Sequence, residues 1–253
     1  MTGGLESVVK LSLERFVPRK SKLSIILDTP GGYVEVVDRI VGIIRHLYDE
    51  VSFIVPDRAM SAGTVFVMSG DRIYMDYFSC LGPIDPQVGK NGRLVPALAY
   101  LKKFEELNKK AASGGLTPAE YALISKLDLA EMYQFEQARE LSIELLEQWL
   151  SLYKFKNWIK TRDHGMPVDD AMKKKRAKEI ANALNDTGRW KSHGRGIPMS
   201  VLKSDEIKLE IDDMAPLPWY SALKDYCSIL ADYMRTRSFT VAVQTVNTIH
   251  TEQ

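Results

Sequence analysis

The chain has 253 residues, which at about 150 residues per domain predicts one large domain or one domain with an appendage. With 45% hydrophobic and 26% charged residues it has the composition of a globular protein, which excludes a mostly disordered chain. The 34 Lys and Arg residues against 33 Asp and Glu give a formal net charge of +1. The basic excess that marks most nucleic-acid-binding proteins is therefore missing.

The cysteines and the hydropathy pattern predict the compartment. Cys80 and Cys227 lie in apolar surroundings without Cys-x-x-Cys spacing, which indicates neither a disulfide framework nor a thiolate zinc site. No window approaches the roughly 20 uncharged apolar residues of a membrane-spanning helix, and Met1–Lys10 lacks the apolar stretch of a signal peptide. We expect a soluble, cytoplasmic protein, and nothing in the sequence indicates association with a membrane.

The first part of the chain, residues 1–95, alternates short β-rich apolar runs with helical stretches, which is the pattern of an α/β protein. The 3.6-residue spacing of apolar side chains predicts three helices, at Leu5–Phe16, Val34–Leu47 and Ser61–Met68. Continuous apolar runs predict four strands, at Leu23–Leu27, Val51–Val55, Arg72–Met75 and Ser79–Leu81. We expect a parallel sheet with right-handed crossovers.

The second part of the chain is predominantly helical. Long charged helices are predicted at Pro96–Ala112, Thr117–Tyr153 and Val168–Leu184. We interpret residues 96–185 as a helical excursion from the sheet that serves in oligomerisation or as a lid. Residues 186–215 then return to the core, and residues 216–253 form a tail with a helix at Leu223–Met234 and a β-prone end at Phe239–Val246.

Three short segments follow or end predicted strands: Asp28–Gly32, Ala59–Thr64 and Leu81–Gln87. Ligands of open α/β sheets bind at the carboxyl ends of the strands, so these segments are expected to converge on one cleft. Ser61 lies at the predicted start of a helix, where a serine is either a simple N-cap or an accessible nucleophile. The Gly31-Gly32 turn is either an ordinary tight turn or, paired with the Ala62 N–H, an oxyanion hole.

These three segments, Thr29-Pro30-Gly31-Gly32, Ala59-Met60-Ser61-Ala62-Gly63-Thr64 and Leu81-Gly82-Pro83-Ile84-Asp85-Pro86-Gln87, resemble the serine dehydrogenase proteinase family. That family is a branch of the Clp protease/crotonase superfamily and is related to signal peptide peptidase A. The resemblance implies an α/β fold built as a spiral of β-β-α units, with a long helical excursion in this chain. It also implies hydrolysis of peptides or proteins without a cofactor or metal ion, inside a chamber formed by a homo-oligomer. By the same resemblance Ser61 is the nucleophile, Gly32 and Ala62 are the oxyanion donors, and Gly31 shapes their turn.

The general base departs from the superfamily pattern. Where the Clp protease subunit has its catalytic histidine, this chain has Ile84-Asp85-Pro86. The Lys191–Pro198 segment, which contains His193, resembles the segment that supplies the aspartate of the Clp triad. We therefore consider a triad with exchanged roles, in which His193 is the base and Asp85 orients it. The alternative is that Asp85 caps a turn and His193 has only a packing role.

Lysine is the other candidate base, because signal peptide peptidase A and related proteases use a Ser–Lys dyad. Lys102 and Lys103 follow the nucleophile segment at about the corresponding place, although a solvated helix face beside Glu105 and Glu106 is the simpler interpretation of each. Two other functions stay open: an inactive Clp-like scaffold that binds peptides, and a crotonase-like enzyme acting on acyl-CoA. The second needs no nucleophilic serine, so Ser61 argues against it.

The start of the chain also departs from the superfamily, whose members normally have a strand before the first helix. Here Met1-Thr2-Gly3-Gly4 leads directly into the predicted helix. We expect that strand to lie outside the given sequence, or the sheet edge to be supplied by Phe239–Val246 or by a neighbouring subunit.

Overall fold

The computed structural model describes residues 1, 3–16, 20–84, 87–90, 93–161 and 164–253. The strands are β1 (Lys22–Ile26), β2 (Glu50–Ile54), β3 (Arg58–Ala59), β4 (Arg72–Met75), β5 (Cys80–Leu81), β6 (Gln87–Lys90), β7 (Arg93–Pro96), β8 (Ile197–Pro198), β9 (Asp212–Asp213), β10 (Val241–Gln244) and β11 (Ile249–Glu252). The α-helices are α1 (Leu5–Glu14), α2 (Val34–Leu47), α3 (Ala62–Val67), α4 (Ala97–Ala112), α5 (Pro118–Ile124), α6 (Leu129–Trp149), α7 (Asp170–Asn185), α8 (Thr187–Trp190), α9 (Met199–Leu202) and α10 (Tyr220–Arg237). A π-helical turn, Leu150–Lys154, continues α6.

The main sheet has four parallel strands in the order β1-β2-β4-β9. Its inner strand β2 turns one apolar face, Val51 and Phe53, into the core, where both residues are fully buried. Strand β1 pairs with β2 in the register Lys22 to Glu50 and forms one edge of the sheet in the described part of the chain. The parallel sheet expected from the sequence is therefore present.

The hydrophobic core forms where α2 and α3 pack beside the main sheet. Helix α2 buries one face, which contains Val37, Ile40, Val41 and Ile44. Helix α3 is short and buried on every side, as its uninterrupted small and apolar sequence requires. The ends of α6 and α7 join the same core through residues such as Trp149. Helix α3, which begins directly after Ser61, thus lies within the hydrophobic core.

A second, smaller sheet positions the candidate site. It contains β3, β5 and β8 in the order β3-β5-β8. Ala59 is opposite Leu81 in a parallel pair, and Leu81 is opposite Ile197 in an antiparallel pair. Because β8 runs the other way, the residues just before Ile197 lie at the same end of this sheet as the residues just after Ala59 and Leu81.

The helical excursion is divided differently from the prediction. The single helix predicted at Thr117–Tyr153 is wrong, because α5 ends at Ile124 and α6 begins at Leu129. Asp128 ends the break between them, since its carboxylate accepts hydrogen bonds from the N–H groups of Ala130 and Glu131 and so caps α6. Helix α4 and the start of α6 enclose a separate small apolar cluster around Phe135.

The end of the chain forms helix α10 and a β-hairpin. The β-prone stretch predicted at Phe239–Val246 contains β10, which pairs with β11 in an antiparallel hairpin rather than with the edge strand β1. Within the described ranges, no helix combines the length and the apolar character needed to cross a membrane. The hairpin packs against α1 and does not extend the main sheet.

Candidate active site

Ser61 lies in a strained turn between strand β3 and helix α3. Its backbone has φ 52° and ψ −119°, in a region that residues other than glycine rarely adopt. Such a conformation costs about 1–3 kcal/mol and persists only where the surrounding structure enforces it. Backbone hydrogen bonds do so here: the Gly63 N–H donates to Met60 over 2.8 Å and the Thr64 N–H to the Ser61 carbonyl over 2.9 Å.

The Ser61 side chain does not act as a helix cap. Although Ser61 occupies the N-cap position of α3, its hydroxyl accepts no capping hydrogen bond. No other hydrogen bond of the described residues uses this hydroxyl, and the residue is only 7% exposed. Ser61 therefore occupies the N-cap position without the side-chain hydrogen bond that the simpler of its two interpretations, an N-cap serine, requires.

The Gly31-Gly32 turn packs directly against Ser61. A Cβ atom on Gly31 would lie 2.8 Å from the Met60 carbonyl oxygen and 2.9 Å from the Ser61 Cβ, so only glycine fits. Both glycines have positive φ, 111° and 141°. Thr29 anchors the turn, since it forms a parallel bridge with Ala59 and its hydroxyl accepts a hydrogen bond from the Gly31 N–H over 3.1 Å.

The two backbone N–H groups predicted to form the oxyanion hole are those of Gly32 and Ala62. Among the hydrogen bonds of the described residues, neither the Gly32 N–H nor the Ala62 N–H is a donor. The main chain of Met1 lies against Gly32, and the Tyr33 N–H donates to the Met1 carbonyl over 3.0 Å. Free N–H groups beside a serine hydroxyl are the chemical requirement of an oxyanion hole.

The third segment, after β5, is fixed on two sides. A Cβ atom on Gly82 would lie 2.9 Å from both the Met60 Cα and the Ser61 nitrogen, so this segment also packs on the Ser61 turn. Two residues further on, the Ile84 N–H donates to the Leu184 carbonyl over 3.0 Å, and the Asn185 amide donates to the Ile84 carbonyl over 2.9 Å. The segment from Gly82 to Ile84 therefore connects the Ser61 turn with the end of α7.

Of the two residues predicted to complete a triad, one can be located. Asp85 lies outside the described residues. His193 lies four residues before β8, half-buried, and burial lowers the pKa of its imidazole. The pairing of β5 with β8 brings the residues just before Ile197 to the end of the small sheet where Ser61 lies, and His193 lies in the segment that leads to them.

The two lysines proposed as alternative bases lie on the exposed face of α4. Lys103 forms an ion pair with Glu106 over 3.3 Å. The Lys102 ammonium lies above α8, 3.1 Å from where a Cβ of Gly188 would be. A lysine must be desolvated to act as a base near neutral pH, and the exposure of both side chains does not provide this. Either lysine as the base stays a prediction.

Two titratable groups to which the sequence analysis gave no chemical role, Asp28 and Cys80, lie next to the site segments in the chain. Burial and the nearby charge of Asp57 raise the pKa of Asp28, against the opposing effect of Arg58. Burial also raises the pKa of Cys80 on β5, so this free thiol is held in its protonated form. Within the described ranges, no group of three or more His, Cys, Asp or Glu side chains is arranged to hold a metal ion.

Comparison with known proteins identifies the family. The sequence profile of the ClpP-like SDH-type serine proteinase family matches residues 6–244. The chain belongs to this family. Together with the parallel main sheet, this match confirms the ClpP-like α/β fold expected from the sequence.

The chain is also similar to two archaeal proteins of Methanocaldococcus jannaschii. Uncharacterized protein MJ0137 is 27% identical over 212 residues, which cover 84% of this chain and 61% of that protein. Uncharacterized protein MJ1495 is 26% identical over 212 residues, which cover 84% of this chain and 59% of that protein. The chain thus spans about three fifths of the length of these relatives.

The structural comparison found similarity to a solved protease structure. It is a lysine-to-alanine mutant of the 1510-N membrane-bound stomatin-specific protease in complex with a substrate peptide. The match covers 88% of this chain and 89% of that chain, with 15% sequence identity and a TM-score of 0.34. A TM-score this low supports no conclusion about this chain.

Proposed function

We propose that the protein is a serine peptidase that hydrolyses peptide bonds with Ser61 as its nucleophile. The observation that carries the proposal is the strained Ser61 backbone together with a side-chain hydroxyl that makes no capping hydrogen bond to the helix that follows. Membership of a serine proteinase family supports the same conclusion. We expect the substrate to be a peptide or protein, admitted to a chamber formed by a homo-oligomer. The oligomer and a cytoplasmic location stay predictions.

The reaction requires charge stabilisation beside the nucleophile. The Ser61 oxygen attacks the carbonyl carbon of the scissile bond, and the carbonyl oxygen becomes an oxyanion. The free N–H groups of Gly32 and Ala62 are the proposed donors to that oxyanion. Loss of one such donor typically costs about 2.7–4 kcal/mol of transition-state stabilisation. Collapse of the tetrahedral intermediate leaves an acyl group on Ser61, which water then hydrolyses.

The reaction also requires a base, for which we propose His193. It takes the proton of the Ser61 hydroxyl and returns it to the leaving amine, with Asp85 orienting the imidazole. Two observations support this assignment over a lysine. The residues before β8 share one end of the small sheet with the Ser61 turn. Burial lowers the pKa of His193, which favours the neutral imidazole that a general base must be at pH 7.

The proposal is tested by labelling the purified protein with a fluorophosphonate probe and locating the modified residue by peptide mass spectrometry. We expect labelling at Ser61 only, and none in S61A. The matched control is S69A, because Ser69 is also buried but its hydroxyl is bonded to the Phe66 carbonyl over 2.7 Å. Folded wild-type protein that is not labelled at any pH would overturn the peptidase and favour the peptide-binding scaffold.

The base is tested with a second set of variants under the same conditions. If the triad is correct, H193A and D85A lose labelling, whereas H46A, which removes an exposed histidine, labels at the wild-type rate. Normal labelling of H193A combined with loss in K102A or K103A would instead identify lysine as the base. Circular dichroism of each variant separates loss of the base from loss of the fold.

A further inference from the structure

Thr64 makes an unusual set of hydrogen bonds inside the candidate site. It is fully buried, three residues after Ser61. Its hydroxyl oxygen lies 2.8 Å from the Ala59 carbonyl oxygen and 2.9 Å from the Gly82 carbonyl oxygen. It also accepts a hydrogen bond from the Gly82 N–H over 2.9 Å. One hydroxyl thus connects the strand end before Ser61 with the segment after β5.

These contacts differ from the usual behaviour of threonine in a helix. A helical threonine commonly bonds the carbonyl three or four residues earlier on its own helix. Thr64 instead bonds Ala59, which lies in β3 outside the helix, and Gly82, which lies 18 residues further along the chain. The bonds therefore join three elements, β3, α3 and the segment after β5, and do not stabilise α3 alone.

The groups that Thr64 joins are in direct contact with Ser61. The Cα of Gly82 faces the Ser61 nitrogen so closely that a Cβ there would lie 2.9 Å away. Ala59 is two residues before Ser61 and pairs with Thr29, which anchors the Gly31 turn. A displacement of either group changes the strained turn, and with it the position of the Ser61 hydroxyl relative to the free N–H groups.

We propose that Thr64 is a positioning residue, whose hydroxyl fixes the Ser61 turn against Gly82 and so sets the orientation in which Ser61 attacks. This inference rests on the proposed peptidase function. A hydroxyl can donate one hydrogen bond while accepting others, which is what the Ala59 carbonyl and the Gly82 N–H together require. Valine has nearly the same shape as threonine but no hydroxyl, so it can neither donate nor accept these hydrogen bonds. In T64V the buried Gly82 N–H would keep only its hydrogen bond to the Ala59 carbonyl, 3.1 Å away.

The test compares T64V with T64S, which keeps the hydroxyl, and with S69A, which removes another buried hydroxyl near the end of the same helix. We expect T64V to react with a fluorophosphonate about tenfold more slowly than wild type, since one buried hydrogen bond is typically worth up to a factor of that size. T64S should react within about twofold of wild type, and S69A should react normally. The midpoint of the pH profile should not move in T64V, because the base is unchanged.

Amide hydrogen exchange gives a readout that does not depend on labelling. In T64V the peptides covering residues 59–62 and 80–84 should exchange faster, whereas T64S should retain wild-type protection. Folded T64V that labels and exchanges like wild type would overturn the role of Thr64. Absence of labelling in wild type would overturn the proposed function, and exchange alone would then decide whether Thr64 fixes the turn. If T64V does not fold, T64A takes its place with the same expected direction.

Discussion

Replacement of Gly31 by alanine tests whether the glycine turn really packs against the nucleophile. Gly31 has φ 111°, so any side chain is strained there, at a cost of about 1–2 kcal/mol. The new Cβ would also lie 2.8 Å from the Met60 carbonyl oxygen, which cannot move freely because it accepts the Gly63 N–H. Overpacking of this kind costs about 1–3 kcal/mol more. We therefore expect G31A to lose about 2–5 kcal/mol of unfolding free energy.

Gly114 provides a matched control for the conformational part of this cost. It also has positive φ, 70°, but a Cβ there would have no atom within 4 Å. G114A should therefore lose only about 1–2 kcal/mol, which is the cost of the backbone conformation alone. The difference between the two variants, measured by urea unfolding followed by circular dichroism, reports the steric contact with the Ser61 turn together with the larger φ of Gly31.

The same pair of variants connects packing with reactivity. We expect relief of the contact in G31A to displace the neighbouring Gly32 N–H, a proposed oxyanion donor, so fluorophosphonate labelling should slow by about tenfold or more. G114A should label normally, because Gly114 lies at the end of α4. Equal destabilisation of the two variants, together with normal labelling of G31A, would refute the contact between the glycine turn and Ser61.

Three further predictions follow from the described contacts. Because burial lowers the pKa of His193, labelling should increase with pH with a midpoint below the ordinary histidine value of 6.5, and H193A should lose this midpoint. N185A leaves the Ile84 carbonyl without its donor and should reduce the unfolding free energy by about 1–3 kcal/mol in a urea titration. Burial opposes ionisation of Asp71, but hydrogen bonds from Lys156 and two further donors outweigh it and lower its pKa. The stabilisation that the ionised Asp71 carboxylate contributes is therefore present above the ordinary pKa of 3.8 and is lost as the pH falls through the lowered value. In D71N the melting temperature should consequently decrease less than in wild type as the pH falls through this range.

The elements with strong local periodicity could be predicted from the sequence. The helix predicted at Val34–Leu47 and the strand predicted at Arg72–Met75 have the same bounds in the structure. The error at Thr117–Tyr153 was avoidable, since Asp128 followed three residues later by Glu131 is itself a helix-start signal. Strands β3 and β8 were missed because each has only two residues, whose pairing depends on distant parts of the chain.

Only part of the candidate site could be predicted from the sequence. The residues of the Ser61 turn could be found from their order along the chain, but the backbone conformation of Ser61 could not, because a serine does not reveal a positive φ. The Asn185 bond to Ile84 spans 101 residues, and no local pattern indicates it. Thr64 was within the quoted motif, yet its role depends on Gly82, which reaches it only through the small sheet.

The strain at Ser61 also bears on the competing functions. An acyl-CoA enzyme of the crotonase type needs only the paired N–H groups, and a peptide-binding scaffold needs neither those groups nor a hydroxyl. In both cases glycine would fit φ 52° at lower cost than serine. A nucleophile must instead be a residue with a side chain, held where its oxygen is close to the oxyanion donors and free of local hydrogen bonds. The uncapped hydroxyl and the glycine turn that packs against Ser61 favour this arrangement, so the proposed peptidase gives a reason for a conformational cost that the other two functions leave unexplained.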